Sequence, residues 1–451
     1  MFSDAIAALA TPPGRSALAV VRLSGVDALE VAAKIVRGFV AEPARVAHLA
    51  AFVAEDGMEI DHGIYTVFAA PHSYTGEHLV EFSCHGGLVV PARLLGALLA
   101  AGARQALPGE FTRRAVLNGR MDLLQAEGVG DLIDATAPAQ ARAALHHLDG
   151  GLSRRLEALR NELLDVEALL GYDIDFPEED DGPVAPARIR DRMASLHAQV
   201  VRLLATAPAG ERLRTGALVV LAGPPNVGKS SLFNALLGSA RAIVTSAPGT
   251  TRDAIEAETT FLGWPIRLVD TAGLRVSTDE AERLGVGFSQ RYMDAADVVV
   301  VCETRQDSGA AGQGNPGAEF GALGGSVIRV WTKSDLTARL SPGPADPPIA
   351  TSALTGEGLE QLKEAVVRAA FRDQVALADL EPALTRERHR VALARAGEAL
   401  GAAAAQLADR RDPVLAAHHL RDAARALEEL IGAVDVEEVL ERVFRNFCVG
   451  K

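Results

Sequence analysis

The chain has 451 residues, room for about two to four domains at roughly 100–200 residues each, which excludes a peptide-like or disordered protein. Hydrophobic residues make up 48% and charged residues 23%, as in a folded globular protein, while abundant alanine and only 4% aromatic residues point to helices packed through small side chains. The formal net charge of -14, from 45 Lys+Arg against 59 Asp+Glu, repels polyanions on average and argues against tight nonspecific DNA binding.

The opening MFSDAIAALATPPG has no basic segment and too short an apolar stretch for a signal peptide. Residues 1–119 then alternate strand-like runs (17–23, 64–70, 79–84) with helical ones (27–36, 89–101), the pattern of an α+β domain. The most apolar stretch, 86–101, is broken by Pro91 and Arg93 and is no membrane span, so the protein is expected to be cytoplasmic. Three scattered cysteines, Cys84, Cys302 and Cys448, fit a reducing compartment and are read as core thiols, with Cys448 also a functional candidate.

From residue 120 the period becomes helical, clearest in Leu152, Leu156, Leu159, Leu163, Val166 and Leu170. An acidic stretch, DIDFPEEDD at 173–181, interrupts it and reads as a solvated loop, after which helix resumes over 188–204. Within 215–372, apolar runs at 218–222, 266–269, 298–302, 327–331 and 349–352 alternate with helical segments, which predicts a parallel doubly wound α/β domain. The Gly-rich stretch 308–325 reads as a loop. Residues 373–451 return to helix, over 383–408, 414–432 and 435–447, the last opened by the capping pair Asp435 and Glu438. The whole is a multidomain protein: an α+β domain (1–119), then helical segments (120–214 and 373–451), either an all-α domain in two parts or two separate helical domains, with the α/β domain (215–372) between them.

The sequence Gly223-Pro224-Pro225-Asn226-Val227-Gly228-Lys229-Ser230 fits a phosphate-binding loop between a buried strand and a helix. Backbone N–H groups of such a loop wrap phosphates, Lys229 neutralises β/γ charge, Ser230 ligates Mg²⁺, and Ser231 follows in the helix. Asp270-Thr271-Ala272-Gly273 ends a second strand, where a carboxylate reaches the Mg²⁺ shell and a glycine N–H senses a γ-phosphate. Thr332-Lys333-Ser334-Asp335 ends a third. Asp335 can accept two hydrogen bonds from guanine, a donor pair adenine lacks, which argues for GTP. Ser352-Ala353-Leu354 supports the base, and Thr245, Ser246, Ala247, Pro248, Gly249, Thr250 and Thr251 lie where a first switch belongs. These elements in this order resemble the small GTPase domains related to translation factors, with Thr332 standing where Asn is usual. Leu274 stands where Ras-like enzymes place a water-positioning Gln, which leaves Arg252, Arg275, Glu280 and Glu282 as nearby candidates.

Together with TPPGRSALAVVRLSG, SYTGEHLVEFSCHGG, PGEFTRRAVLNGRMDLLQAEGVGDLIDA and the terminal FCVGK, these motifs resemble the bacterial tRNA-modification GTPase family called MnmE or TrmE over essentially the full length. The resemblance implies an N-terminal tetrahydrofolate-binding and dimerising domain, a discontinuous helical domain and a G domain. It implies a homodimer that joins an FAD-dependent MnmG-type partner in a heterotetramer and installs aminomethyl or carboxymethylaminomethyl groups on the wobble uridine of tRNA, with a 5-formyltetrahydrofolate-like one-carbon donor. It implies K⁺ held by Asn226, Thr245, Ala247 and Thr250, Mg²⁺ held by Ser230 and Thr251, and catalysis by Glu282, Lys229 and Thr251. Folate contacts fall on Arg22, Glu81, Arg120 (where Lys is frequent) and Lys451.

A ribosome-assembly GTPase is the alternative. It calls for a basic RNA-binding appendage that the sequence does not display. A folate-dependent methyltransferase-like enzyme with a regulatory GTPase is another; no GxGxxG joins a strand directly to a helix as a flavin-binding unit does, so any flavin step needs a partner. The basic pairs Arg113-Arg114 and Arg154-Arg155 read as solvated faces.

Overall fold

The computed structural model describes residues 4–175, 186–238, 255–270, 291–304, 326–336, 348–371, 383–408 and 412–432, with Phe444, Phe447 and Gly450. They form two compact units, one of Met1–Gly130, His147–Ala158 and Leu427–Lys451, the other of Asp131–His146 and Leu159–Ala426.

The first unit is built on a six-stranded sheet of order β3-β4-β5-β2-β1-β6. Its strands are β1 (Ile6–Leu9), β2 (Leu18–Ser24), β3 (Ala47–Val53), β4 (Glu59–Phe68), β5 (Leu79–His85) and β6 (Arg104–Gln105). Helices α1 (Ala28–Ile35) and α2 (Val90–Ala100) supply Val31, Ile35, Leu94 and Leu98 to the core made by Val21, Leu23, Tyr65, Val80 and Phe82 on one sheet face. On the other side Leu49, Ile64 and Leu18 are exposed, while Ile6, Ala8, Ala106 and Phe111 form a second buried cluster at the β1 end, so only the strands away from β1 alternate as a one-sided sheet does. Helices α3 (Glu110–Leu117) and α4 (Leu123–Asp134) follow, the last residues of α4 and most of α5 (Pro138–Leu148) belonging to the second unit. Phe444 packs with Leu123 and Ala126. β1 and β3 are strands the reading of apolar runs passes over, because IAAL and AHLAAFV carry little but alanine between their larger residues.

Three helices of the helical portion, α6 (Gly151–Asp175), α7 (Pro186–Leu204) and α8 (Ala207–Thr215), precede the α/β fold. The Leu152 to Leu170 series lies on the buried face of α6. The α/β sheet has the order β12-β11-β10-β7-β9-β8, from β7 (Ala217–Ala222), β8 (Ile255–Phe261), β9 (Trp264–Asp270), β10 (Val298–Thr304), β11 (Ser326–Thr332) and β12 (Ile349–Ala350). Five strands are parallel, but β8 runs antiparallel to β9, a correction to the wholly parallel expectation. IEAETTF alternates polar and apolar residues as an edge strand does, and lacks the apolar run of a central one.

In β7 the odd positions Ala217, Val219 and Leu221 pack toward α9 (Lys229–Gly238) and α10 (Leu359–Ala370), and the even positions Leu218, Val220 and Ala222 pack on the opposite face. Burial on both faces forces the polar chemistry to the strand ends. Helices α11 (Glu387–Ala408) and α12 (Pro413–Ile431) return the chain to helix. The 435–447 run, apart from Phe444 and Phe447, lies outside the described residues, as do Cys448 and residues 176–185 of the acidic stretch. Among the described residues, no helix is long and apolar enough to cross a membrane.

Candidate functional site

The phosphate loop joins β7 to α9, and its backbone explains its residues. Gly223 has φ 137 and Gly228 φ 105. A Cβ on Gly223 would lie 2.3 Å from the Cys302 carbonyl oxygen, so glycine lets the loop pass directly over β10. Asn226 takes φ 60, the left-handed region that asparagine tolerates best among non-glycine residues. Lys229 is buried, and its Nζ donates to the carbonyls of Gly223 and Pro224, each at 2.8 Å, which folds the ammonium along the loop.

The Ser230 hydroxyl donates to Asp270 Oδ2 at 2.6 Å. A hydroxyl and a carboxylate at that separation are the oxygen donors a divalent cation takes, so the pair fits Mg²⁺. The Asn226 side-chain amide has no partner among the described residues and is exposed, which fits a carbonyl donor to a monovalent cation. Cys302 lies beneath the loop, and burial pushes its thiol up to about 12, so it stays protonated and inert.

At the adjacent strand end, Thr332 is buried. Its hydroxyl donates to the Val227 carbonyl at 2.5 Å, with the Glu303 carbonyl at 3.3 Å. A hydroxyl has one proton. Thr332 therefore spends it on tying this loop to the phosphate loop. Lys333, at φ 56, adds a second tie through Nζ to the Asn226 carbonyl at 2.8 Å. Asp335 is exposed, and its Oδ1 accepts from Ser352 Oγ at 2.6 Å. Ser352 is fully buried, while Ala353 and Leu354 lead outward, with Leu354 84% exposed. The structure thus brings Asn226, Val227, Gly228, Lys229, Ser230, Ser231, Asp270, Thr332, Lys333, Asp335, Ser352, Ala353 and Leu354 to the carboxyl ends of the parallel strands of one sheet. Thr245, Ser246, Ala247, Pro248, Gly249, Thr250, Thr251, Thr271, Ala272, Gly273 and Glu282 lie outside the described residues, as do Arg252, Leu274, Arg275 and Glu280.

A second polar site sits in the first unit. Arg22 and Glu81 are register partners on β2 and β5, and Arg22 Nε and Nη2 donate to Glu81 Oε1 at 3.0 and 2.7 Å. Tyr74 and Phe111 lie under the guanidinium, with ring centroids at 5.5 and 5.9 Å. Burial raises the Tyr74 phenol pKa, so this ring carries no competing charge. Glu81 Oε2 has no partner among the described residues. Arg120 donates from Nε to the Ser73 carbonyl at 3.1 Å, and its terminal nitrogens have no partner among the described residues. Residues 73–77 thus gather Arg22 and Arg120. Gly450 abuts Leu9, its prospective Cβ 2.3 Å from the Leu9 carbonyl, beside Val21 and hence Arg22. Lys451 is outside the described residues.

The solvated reading of Arg114 is overturned. Arg114 is fully buried and bonds Asp4 (2.9 Å), Glu77 (3.2 Å) and Glu110 (3.1 Å), because the fold supplies three carboxylates that a two-residue basic pair cannot announce. Sequence reasoning also passed over Tyr74, Phe111 and Gln140. Only Gln140 had a signal, three residues after Ala137 with Pro138 opening α5, the spacing of a helix start.

Residues 123–448 match the family model of the MnmE helical domain, bracketing the α/β fold, and residues 5–120 match that of the GTP-binding protein TrmE N-terminus. The chain belongs to the MnmE family. It is 45% identical over 457 residues to the tRNA modification GTPase MnmE of Thermus thermophilus, covering 100% of both chains. The protein of the same description from Moorella thermoacetica is 41% identical over 477 residues, again covering 100% of each. The G domain of the T. maritima FeoB iron transporter is 31% identical, covering 34% of this chain and 98% of its own at a TM-score of 0.26.

Proposed function

We propose that this protein hydrolyses GTP as a component of a tRNA wobble-uridine modification system. The observation that carries the reading is the gathering of Lys229, the Ser230–Asp270 pair and Asp335 at one sheet end, in a chain that aligns end to end with tRNA modification GTPases. Residues 1–119 form the folate-binding and dimerising domain, 120–214 and 373–451 the helical domain, and 215–372 the G domain.

In the G domain, backbone N–H groups of 226–230 and the Lys229 ammonium hold the β- and γ-phosphates. Asp335, steadied by Ser352, accepts from guanine and rejects adenine. Because Thr332 gives its proton to Val227, the threonine acts through the phosphate loop and leaves base discrimination to Asp335. Ser230 and Thr251 ligate Mg²⁺. Asn226, Thr245, Ala247 and Thr250 hold K⁺, which when bound supplies positive charge where the transition state gathers negative charge. Glu282 orients the attacking water, with Thr271, Ala272 and Gly273 against the γ-phosphate.

In the N-terminal domain, Glu81 presents Oε2 to the amino and N–H edge of a pterin while Arg22 fixes its rotamer. Arg120 and Lys451 take the negatively charged tail. The folate, when bound, supplies the one-carbon unit. Two copies of this chain act with a flavoprotein partner of the MnmG type.

The test is reconstitution: full-length protein, flavoprotein partner with FAD and NADH as reductant, tRNA, GTP, 5-formyltetrahydrofolate or its methylene-level counterpart, and glycine or ammonium as nitrogen source, in KCl, with wobble nucleosides read by mass. The expected product is 5-carboxymethylaminomethyluridine or its aminomethyl counterpart, lost when GTP or the folate is omitted. Unmodified uridine in the complete mixture would contradict the reading. Association of the protein with ribosomal subunits instead would favour the ribosome-assembly alternative.

A further inference from the structure

The β8–β9 hairpin is the chain's path between the proposed first switch, 245–251, and the γ-phosphate-sensing motif Asp270-Thr271-Ala272-Gly273. β8 begins at Ile255, just after residues 240–253, and β9 ends at Asp270, immediately before Thr271-Ala272-Gly273. One end of the hairpin therefore carries Asp270 of the nucleotide site. The other end is its turn, where Leu262 has φ 51 and Gly263 φ 85.

That turn is not free. The Gly263 carbonyl accepts from Ala139 N at 3.0 Å, and Thr260 Oγ1 donates to the Thr136 carbonyl at 3.4 Å. A Cβ on Gly263 would stand 3.9 Å from Pro138 Cβ, an ordinary packing distance. Residues 136–140, the start of α5, thus grip the hairpin tip.

Gln140 organises the grip. Its Oε1 accepts from Thr136 N (2.9 Å), Thr136 Oγ1 (3.1 Å) and Ala137 N (2.9 Å), satisfying donors at the helix start. Its Nε2 donates to the Arg214 carbonyl at 2.9 Å, on the helix that leads into β7. Arg214 Nε in turn donates to the Thr385 carbonyl at 2.9 Å, on the segment that leaves the α/β fold. Leu384 N donates to Thr206 Oγ1 at 3.2 Å, and Gly210 lies so close to Leu384 that a Cβ would come within 2.2 Å of its carbonyl oxygen. Entering chain, leaving chain and hairpin tip meet at one junction, and Gln140 is the side chain that bonds both the tip-gripping segment and the entering chain.

We propose that Gln140 is a positioning residue that couples this hairpin to the helical segments flanking the GTPase fold. When nucleotide state displaces Asp270 and the start of β8, the stiff hairpin passes the displacement to residues 136–140, and Gln140 passes it to Arg214 and Thr385. The inference rests on the GTPase reading above.

Two substitutions separate this role from local folding. Gln140→Glu keeps an acceptor for the three donors at the helix start but sets a carboxylate oxygen against the Arg214 carbonyl, while Gln140→Ala loses both functions. Amide exchange is followed by mass spectrometry on the full-length protein in KCl and Mg²⁺, with GDP or a nonhydrolysable GTP analogue, alongside steady-state GTP hydrolysis. In the unsubstituted protein, exchange over 137–148 differs between the two nucleotides by roughly 2- to 10-fold, the worth of one hydrogen bond. In Gln140→Glu that difference collapses, while exchange in β7 and GTP turnover keep their original values. Persistence of the full difference in Gln140→Glu, or its absence from an unsubstituted protein that hydrolyses GTP, overturns the coupling. Absence of GTP hydrolysis from the unsubstituted protein overturns the GTPase reading instead.

Discussion

Two sheets of six strands carry this protein's polar chemistry, and they carry it in different places. The α/β sheet is buried on both faces, so β7 and β10 are apolar almost throughout. Lys229, Ser230, Asp270, Thr332 and Asp335 gather where strands end. The N-terminal sheet is packed on one face along its length and on the other only around Ile6, Ala8, Phe111 and Tyr74, and on that partly open face Arg22 and Glu81 pair across β2 and β5. Complete burial on two sides expels function to loops; incomplete burial of the second side leaves room for it along a strand. The difference follows from parallel strands needing crossover helices on both faces, which antiparallel strands do not.

The contrast breaks first if the buried charges of the N-terminal unit serve binding and not folding. Arg114→Met leaves buried Glu77 without its cation and Glu110 with Arg104 alone, and urea unfolding of the N-terminal unit should show a loss of about 3–5 kcal/mol. Unchanged stability with a lost ligand would reassign the cluster. Acid titration probes the same network. Burial alone would push the Glu110 carboxyl up, but bonds from Arg104, Leu107 N and Arg114 outweigh it and hold the group below its usual value. Its folded-state pKa is thus lower than its unfolded one, so the stabilisation is complete above the unfolded range near about 4.3 and fades as pH falls through the lowered value.

Lys229→Ala should cut kcat/KM for GTP by about 10²–10³-fold, as loss of one preorganised charge does, while 5-formyltetrahydrofolate affinity measured by calorimetry stays constant. Glu81→Gln should do the reverse, weakening that folate by roughly 10-fold or more through loss of a charge-assisted bond with GTP turnover intact. If either change crosses over to the other ligand, the two sheets do not hold separate sites. The smallest effect belongs to Thr332→Val, a loss of about 2–10-fold in GDP affinity, restored by Thr332→Ser, with the GDP to IDP affinity ratio unmoved. A change in that ratio would place Thr332 on the base.

How legible each site was depended on the same contrast. GPPNVGKS is contiguous, and its glycines and lysine do one job within one turn, so sequence alone located it. Asp335 was legible through the contiguous motif Thr332-Lys333-Ser334-Asp335 and Ser352 through its place after the next apolar run, both in the order that follows a phosphate loop. Arg22 and Glu81 entered only through family resemblance, since their pairing depends on a register 59 residues apart. Arg114 was misread for the same reason: its partners Asp4 and Glu77 lie 110 and 37 residues away. β8 was missed because an edge strand beside a twofold-buried sheet alternates polar and apolar residues. Gln140 was passed over because its bond to Arg214 exists only once the inserted fold closes on its flanks.

The central claim is that the strand-end cluster of the α/β sheet is a guanine-specific, cation-assisted hydrolytic site. Steady-state turnover of GTP and of ATP, each in KCl and in NaCl at equal ionic strength, tests it most directly. The account predicts GTP turnover strongly accelerated by K⁺ and ATP turnover near background in both salts. Equal rates for GTP and ATP would contradict the role given to Asp335, and a GTP rate indifferent to the cation would contradict the role given to Asn226.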